Sequence, residues 1–386
     1  MEMNQAAALV NAAYSETVGG SSILSEDLSN TVDIGTEIFN ANAVDAYVKS
    51  LVNQVGRMVF VNRPYAGGTP SVLMDGWEFG SVLEKISAKT PTATENESWE
   101  LTDGASYDPN VFYQPQVSAK FFNKRVTFEV PMSFTELQVK QSFTSAAQLN
   151  GFLSMLYNAV DRAMTVRIDS LIMRTINNMI GETVYADYAG ASLGSKSGIK
   201  AVNLLYLYNQ TVSAGNQLTA AAAIRTPEFI RFAAYHMGLY MARLGKISTL
   251  FNVGGEDRFT PADMLHVVML ADFRRAADVF LQSGTFHDQF TQLPAAEEVP
   301  FWQGSGTDYA FSSVSEVKIT TASEHSVDVT GVLGVMFDRD ALGVCCQDRR
   351  VTTNYNPKAE FFSNWYKWDA GYFNDLNENF VVFFVA

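Results

Sequence analysis

Histidine and cysteine are the residue types that most often bind metals or act as nucleophiles, and this chain has few of either. None of the histidines lies in a CxxC or HExxH pattern, and their spacings do not indicate a metal site. The cysteines are adjacent, and because a disulfide between neighbours is strained, we expect both thiols to be reduced. The sequence therefore predicts no metal and no cofactor. The residues concerned are His236, His266, His287, His325, Cys345 and Cys346.

Phosphate-binding and hydrolase motifs are also missing from the sequence. It contains no GxxxxGK[ST] loop and no GxSxG nucleophile elbow, and the Gly254-Gly255 pair does not extend to GxGxxG. The most tempting polar constellation is Asp338-Arg339-Asp340. We interpret it as a strand-to-helix turn in which the carboxylates cap the helix and Arg339 pairs locally. We therefore expect a protein that is not an enzyme.

Composition and charge narrow the class of protein. Apolar residues make up 47% of the chain and charged residues 18%, which is typical of a globular protein. The net charge of −14 argues against specific DNA binding, because phosphates repel an acidic surface. Apolar runs such as 381–386 are far shorter than the ~20 residues of a membrane span. No Lys or Arg precedes Lys49, so the basic region of a secretory signal is missing, and we expect folding in the cytosol.

One segment, 91–115, is acidic and contains no Lys or Arg. Basic doublets occur elsewhere, at Arg274-Arg275 and Arg349-Arg350. Solvated surface charge is one interpretation of these doublets. The other is a landing site for the acidic segment of a second copy of the chain. The candidate residues of such an inter-subunit interface are Glu95, Glu97, Glu100, Asp103, Arg349 and Arg350.

Strand-like alternation on both sides of this acidic segment predicts a long β-hairpin with a polar tip. Residues 80–89 place Val82, Ile86 and Ala88 on one face, and residues 116–130 alternate as well. Two strands of ~15 residues at ~3.3 Å per residue would reach ~50 Å. Such a ribbon has too little apolar surface to be stable alone, so it must lie on its own domain or on a neighbouring copy.

Residues 144–180 carry the strongest helical periodicity. Apolar residues recur at every fourth position from Leu156 to Ile180, which predicts one amphipathic helix. About thirty helical residues at ~1.5 Å per residue would give a length of about 45 Å. We expect Gly181 to end it.

Shorter elements follow and indicate a small α/β or α+β lobe at about 225–340. Pro227 suits a helix start and Gly245 a helix end. The predicted elements are helices over 200–208, 227–244 and 273–281, strands over 247–251 and 265–270, and a strand or helix over 220–224.

The two ends of the chain differ in pattern. Residues 1–56 predict an arm with helical segments. The last part contains a buried strand at 332–337, aromatic-dense segments around Trp365 and Trp368, and a terminal apolar strand at 380–385. A chain that ends on its most hydrophobic strand completes its core only when it is nearly finished.

Several motifs occur in an order that resembles one family. They are WEFGSVLEKISA at 77–88, GVLGVMFDRDAL at 331–342, NYNP at 354–357 and FFSNWYKWDAGYF at 361–373. In this order they resemble the major capsid proteins of tailed phages, which have the Hong Kong 97-type fold. They are most similar to the capsid proteins of short-tailed Bacillus phages.

The resemblance implies an α+β fold with an N-terminal arm, a long β-hairpin called the extended loop, a peripheral domain with a spine helix, and an axial domain. The implied bounds are 1–56 for the arm, 57–130 for the extended loop, 131–225 with 341–386 for the peripheral domain, and 226–340 for the axial domain.

The resemblance also implies a function. The chain would self-assemble into pentamers and hexamers that form an icosahedral or prolate head around double-stranded phage DNA, without sequence-specific DNA binding and without a membrane. It would be assembled in the host cytoplasm and located in the virion. Scaffold, portal and cement or decoration proteins are the further candidate partners.

Other classes of protein stay open at this point. An encapsulin-like compartment shell shares the fold, an enzyme would use the 225–340 lobe, and a monomeric adhesin or receptor-binding protein would be built around the hairpin. Some capsids of this fold cross-link a hairpin Lys to an Asn of a neighbour. Lys85 or Lys89 with Asn354 or Asn356 could do so here, although no nearby Glu supports it.

Overall fold

The computed structural model describes residues 70–74, 83–135, 146–212, 214–282, 293–303 and 310–386. Strands and helices are mixed along this part of the chain. The strands are β1 (Leu73–Met74), β2 (Leu83–Ala88), β3 (Val117–Phe122), β4 (Arg125–Thr135), β5 (Ala201–Asn203), β6 (Leu265–Leu270), β7 (Glu297–Val299), β8 (Val317–Thr320), β9 (Ser326–Val329), β10 (Val332–Asp338), β11 (Leu342–Asn356), β12 (Phe361–Asn374) and β13 (Phe380–Phe384). The helices are α1 (Ala146–Tyr188), α2 (Leu204–Thr211), α3 (Ala220–Ala223), α4 (Pro227–Leu244), α5 (Ala271–Gln282) and α6 (Phe311–Val314).

A five-stranded sheet in the order β5-β13-β10-β6-β7 lies in the hydrophobic core. Strand β13 is antiparallel to β10 and parallel to β5, and β10 is also antiparallel to β6. Every residue of β10 and β13 is buried, which explains why both are continuous apolar runs rather than alternating ones. The predicted strands near 332–337 and 380–385 are confirmed.

Helix α1 confirms the predicted periodicity but not its end. Every fourth residue from Val160 to Ile180 is buried. The helix nevertheless continues through Gly181 to Tyr188. A Cβ added to Gly181 would lie 2.8 Å from Cγ2 of Thr321 and 3.0 Å from Cγ2 of Ile319. Glycine is therefore needed here for a close approach between the helix and strand β8, and not to end the helix.

The hairpin is shorter than predicted. Strands β2 and β3 pair over six residues, from Leu83 opposite Phe122 to Ala88 opposite Val117. The prediction of ~15-residue strands is wrong, because residues 125–135 form the separate strand β4. That strand belongs to a four-stranded sheet in the order β1-β11-β12-β4. We call residues 90–116, between β2 and β3, the hairpin tip; they contain one short 3₁₀ turn, Glu97–Trp99.

The Asp338-Arg339-Asp340 segment is a turn between two strands, so the predicted helix start is wrong. The N–H of Asp340 donates to Oδ1 of Asp338 at 2.9 Å, which closes a local turn. Strand β11 begins at Leu342 and pairs with β1, which leaves no room for a helix.

Two smaller predictions are wrong, and one open alternative is resolved. Residues 201–203 form strand β5 because they pair with β13, and helix α2 begins only at Leu204. The predicted strand at 247–251 is replaced by turns and a single bridge between Ser248 and Arg258. Residues 220–223 are helical. By contrast, helix α4 has the predicted bounds, β6 has the predicted bounds, and α5 contains the predicted helix.

The chain divides into two compact units. The first comprises Met1–Ala66, Glu129–Val166 and Arg349–Lys367, and the second comprises Gly67–Phe128, Arg167–Asp348 and Trp368–Ala386. The five-stranded sheet and the β2–β3 hairpin lie in the second unit. The predicted arm at 1–56 and His287 lie outside the described residues. Within the described part, no helix is both long enough and apolar enough to cross a bilayer.

Candidate assembly interface

A cluster of charges in the second unit holds the base of the hairpin. Lys85 and Lys120 are direct cross-strand partners, and two like charges in these positions repel one another. The carboxylate of Asp375 bonds to both: its Oδ2 lies 2.9 Å from Nζ of Lys85, and its Oδ1 lies 3.0 Å from Nζ of Lys120. The Asp375 side chain is only 3% exposed. One buried carboxylate therefore joins both strands of the hairpin to the segment after β12.

The ammonium group of Lys85 uses all three of its donors. They go to Asp375, to Oε1 of Glu378 at 3.1 Å and to the carbonyl of Asp340 at 3.0 Å. Burial lowers the pKa of Lys85, but its hydrogen bonds and attraction to Asp375 and Glu378 outweigh burial and raise the pKa. A protonated and fully bonded amine is a poor nucleophile. This bonding argues against the Lys85 cross-link considered above.

The pKa values of two buried carboxylates in this region shift in opposite directions. Burial raises the pKa of Asp375, but hydrogen bonds and charge from Lys85, with a further hydrogen bond from Lys120, prevail and lower it. Burial also raises the pKa of Asp338, and hydrogen bonds from the Asp340 N–H and from Thr260 offset only part of that effect. Asp375 is thus the carboxylate that the structure keeps ionised, because two ammonium groups face it.

The tip of the hairpin is different, since it exposes large apolar side chains. Trp99 is 95% exposed, Phe112 is 83% exposed and Tyr113 is 82% exposed. Leu101 and Val111 of the same segment are exposed as well. Single exposed apolar residues need no explanation, but several on one short segment are typical of an interaction surface.

The predicted acidic residues lie on this same segment. Glu95, Glu100 and Asp103 are exposed, and among the described residues none of the three has an ion-pair partner. Glu97 begins the 3₁₀ turn Glu97–Trp99, and its side chain lies outside the described part. The tip therefore presents carboxylates and aromatic rings together.

Of the predicted basic residues, Arg275, Arg349 and Arg350 are exposed, whereas Arg274 is half-buried. In the first unit, Arg349 forms an ion pair with Asp161, and Arg350 is exposed beside it. In the second unit, Arg274 donates to the carbonyl of Pro294 at 2.7 Å, and Arg275 pairs with Glu298 at 3.0 Å. Contact between the tip and Arg349-Arg350 would join two copies of the chain, and it stays a prediction.

The described histidines pack in separate places. His236 packs against the ring of Phe232, and burial, followed by the charge of Arg243, lowers its pKa. Nε2 of His266 lies 3.1 Å from Oε2 of Glu297. His325 stacks on another ring with 3.6 Å between centroids. In the parts of the chain that the structure describes, no three His, Cys, Asp or Glu residues form a group that could hold a metal.

Sequence reasoning missed the Asp375 cluster because it followed the apolar side chains of β2. The alternation grouped Ile86 with Ala88 on one face, but Ile86 is 67% exposed, and Lys85 on the opposite face is the partly buried residue. The available signal was the position of Lys85 opposite Lys120 in a hairpin. Such a pair needs a shared counter-ion.

Comparisons with known proteins identify the family to which this chain belongs. Residues 7–384 match the family model described as Phi29-like phage major capsid protein. No curated protein matches the chain at a significant level. A solved capsid structure of Staphylococcus phage Andhra aligns with a TM-score of 0.51 and 11% identity, covering 86% of this chain and 87% of that chain.

A capsid structure of the cyanophage P-SCSP1u aligns with a TM-score of 0.45 and 10% identity, covering 87% of this chain and 94% of that chain. The Andhra likeness indicates a shared fold, whereas the cyanophage likeness is too weak to carry an argument. The expectation of a phage capsid protein is confirmed, and the encapsulin-like alternative is not favoured. Because the family model spans most of the chain, this protein belongs to the Phi29-like phage major capsid protein family and forms a capsid shell.

Proposed function

We propose that copies of this chain close into a shell by laying the hairpin tip of each copy on a neighbour. The observation that carries the proposal is the composition of the tip, where Trp99, Phe112 and Tyr113 are exposed beside carboxylates that have no described ion-pair partner. Leaving these rings in water costs free energy that contact with a second copy would recover. A single copy is therefore incomplete at the tip.

Cooperative closure follows from many contacts of this kind. A standard protein interface buries about 1,600 Å² in total. A tip seated on a neighbour would supply part of such an area to each copy, and identical contacts repeated with a fixed rotation close into rings. We infer pentamers and hexamers as the rings, in an icosahedral or prolate head around double-stranded DNA.

The finer assignment of the fold is part of this proposal. It takes the Hong Kong 97-type domains as 1–56 for the arm, 57–130 for the extended loop, 131–225 with 341–386 for the peripheral domain, and 226–340 for the axial domain. It also takes the capsid proteins of short-tailed Bacillus phages as the most similar relatives. Assembly in the host cytoplasm, and scaffold, portal and cement proteins as partners, belong to the same proposal.

The first proposed seat of the acidic tip is the doublet Arg349-Arg350. The double charge reversal R349E/R350E should impair shell assembly, because it places carboxylates opposite carboxylates. Since Arg349 also pairs with Asp161, the variant D161N is the matched control: it loses the internal pair but keeps both cations. Normal assembly of the charge-reversed protein, with the monomer folded, would refute this pairing.

One experiment tests the assembly function itself. The purified chain is analysed by sedimentation velocity and negative-stain electron microscopy, with and without DNA. We expect closed particles of megadalton mass. A species that stays at 42.5 kDa under all conditions, including addition of scaffold protein, would contradict the proposal and favour a monomeric adhesin.

A further inference from the structure

A polar cavity of about 450 Å³ lies in the second unit. Its walls come from helix α1, strand β12, the end of strand β8 and the turn between β3 and β4. Hydrogen bonds tie these walls together: Nδ2 of Asn374 donates to the carbonyl of Thr175 at 2.8 Å, and Oδ1 of Asn178 accepts from the N–H of Ala322 at 2.8 Å. The cavity is thus held in shape by its own walls.

The charge of this cavity is positive in a chain that is strongly acidic. Lys124 and Arg174 line it, and no carboxylate does. The guanidinium of Arg174 lies over the ring of Tyr372, 5.8 Å from its centroid. Across the described residues, neither cation has a carboxylate at ion-pair distance. The cavity therefore has two positive charges available for an anionic group.

A smaller cavity of about 120 Å³ adjoins this one, since the two share Lys124 and Tyr372 among their walls. Aromatic rings line it, with Phe122 and Phe373 5.2 Å apart between centroids and with Phe121 beside them. Its one carboxylate, Glu182, already accepts from the N–H of Ser323. The combined surface places two cations next to an aromatic wall.

The hairpin tip carries the complementary pattern. Trp99 and Glu100 are adjacent and both exposed; Trp99 ends the 3₁₀ turn that begins at Glu97, and Glu100 follows it. An indole next to a carboxylate matches an aromatic wall next to two cations. A DNA duplex is a poorer match, because a cavity of this volume admits single side chains and the net charge of −14 repels phosphate.

The tip of the same chain does not occupy this cavity, so the candidate occupant is the tip of a second copy. Lys124 and Phe122 lie at the base of the hairpin, and the paired strands β2 and β3 separate that base from the tip by about 17 Å. In the described chain, Trp99 and Glu100 remain exposed rather than folded back along the ribbon.

We infer that the cavity lined by Lys124 and Arg174 receives the Trp99-Glu100 corner of a neighbouring copy. The inference rests on the proposed assembly function, and it names a seat for the tip other than Arg349-Arg350. Glu100 bonds to the two cations, and the indole of Trp99 packs on the aromatic wall.

Carbodiimide cross-linking of assembled shells tests this seat, because the reagent joins a Lys amine to a carboxylate in direct contact. Shells are assembled from equal amounts of ¹⁵N-labelled and unlabelled chains, cross-linked, digested and analysed by mass spectrometry. We expect hybrid-isotope peptides that join Lys124 to Glu100. The variant K124R is the matched control, since it keeps the charge and removes the reactive amine.

Charge reversal supplies the second measurement. K124E/R174E should lower the assembled fraction by at least about tenfold relative to K124R/R174K, and adding E100K should restore part of it.

If wild-type chains form no particles, the assembly function itself fails. If wild-type shells form but the tip links only within one chain, or only to lysines other than Lys124, the cavity is not the seat. Particles that form equally well with K124E/R174E would overturn it as well, and a loss only of DNA retention would indicate a phosphate site instead.

Discussion

The base and the tip of the β2–β3 hairpin both carry carboxylates, but only the base has lysines that neutralise them. At the base, two lysines and two carboxylates satisfy one another within the chain, and Lys85 has no donor left. At the tip, carboxylates occur without any Lys or Arg between 90 and 116, and aromatic rings stand in solvent. The charges at the base are neutralised within the chain, whereas the carboxylates of the tip have no cation nearby in sequence and can bind one on another copy.

The comparison shows how one short ribbon can belong to two molecules. The buried Asp375 fixes where the strands leave their own core, because its two oxygens bond to one lysine on each strand. Because the base is already ordered, binding of the tip to another copy need not supply the free energy of ordering the base. Variants at the two ends should therefore separate stability of the single chain from assembly.

The largest effect is expected from D375N. The substitution removes the charge that both ammonium groups share, and breaking a buried pair of this kind costs about 3 kcal/mol. Hydrogen exchange of the amides in Leu83–Ala88 and Val117–Phe122 should accelerate accordingly. The matched control is D328N, which breaks the exposed, solvent-screened Lys318–Asp328 pair and should cost far less than D375N. Equal protection in both variants would mean that Asp375 does not hold the hairpin.

Acidification should destabilise the hairpin base over a defined pH range. Because the folded-state pKa of Asp375 is lowered, its stabilisation is present above the ordinary value of 3.8 and is lost as pH falls through the lower folded-state value. Asp338 has the opposite sign: its raised pKa removes stability as pH rises above 3.8. The protection factors of the hairpin amides, which correct the exchange rates for their intrinsic pH dependence, should therefore stay high down to pH 3.8 and fall below it. D375N should lack this acid step, and an identical step in D375N would assign the titration to another group.

A smaller effect is expected from E378Q. Glu378 accepts from Lys85 at 3.1 Å and lies 3.4 Å from Nε of Arg258, and glutamine keeps one acceptor oxygen while losing the charge. The expected cost is about 1 kcal/mol, since Asp375 still holds Lys85. Chemical denaturation of the unassembled chain measures it. A loss as large as that of D375N would show that the two carboxylates act as one unit.

The smallest effect on the single chain is expected from W99A. The side chain is almost wholly exposed, so the free energy of unfolding should change by less than about 0.5 kcal/mol. Assembly should fall strongly, because the variant removes a ring that we place in a neighbour. The buried Trp302 gives the contrast, since W302A should destabilise the chain itself by about 3 kcal/mol or more. A W99A protein that assembles normally would remove the tip from the interface.

Much of the fold could be predicted where local pattern and burial coincide. The row of apolar residues in α1, the bounds of α4 and the buried strands β10 and β13 all follow from periodicity or from apolar runs. The site was predictable in part. The acidic tip was found because it lacks cations, but Asp375 lies 255 positions from Lys120, and nothing local connects them.

By itself the sequence determined the long helix α1, the bounds of α4, the buried strands β10 and β13, the resemblance to a capsid family and the one-signed charge of the tip. Only the tertiary structure decided that Gly181 lies inside a helix, that 201–203 is a strand and that Lys85 faces inward. The physical reason is the separation in sequence between the interacting residues. Periodicity records which face of a segment is buried, whereas a close backbone approach, an edge pairing or a shared counter-ion depends on a partner that the chain supplies far away in sequence.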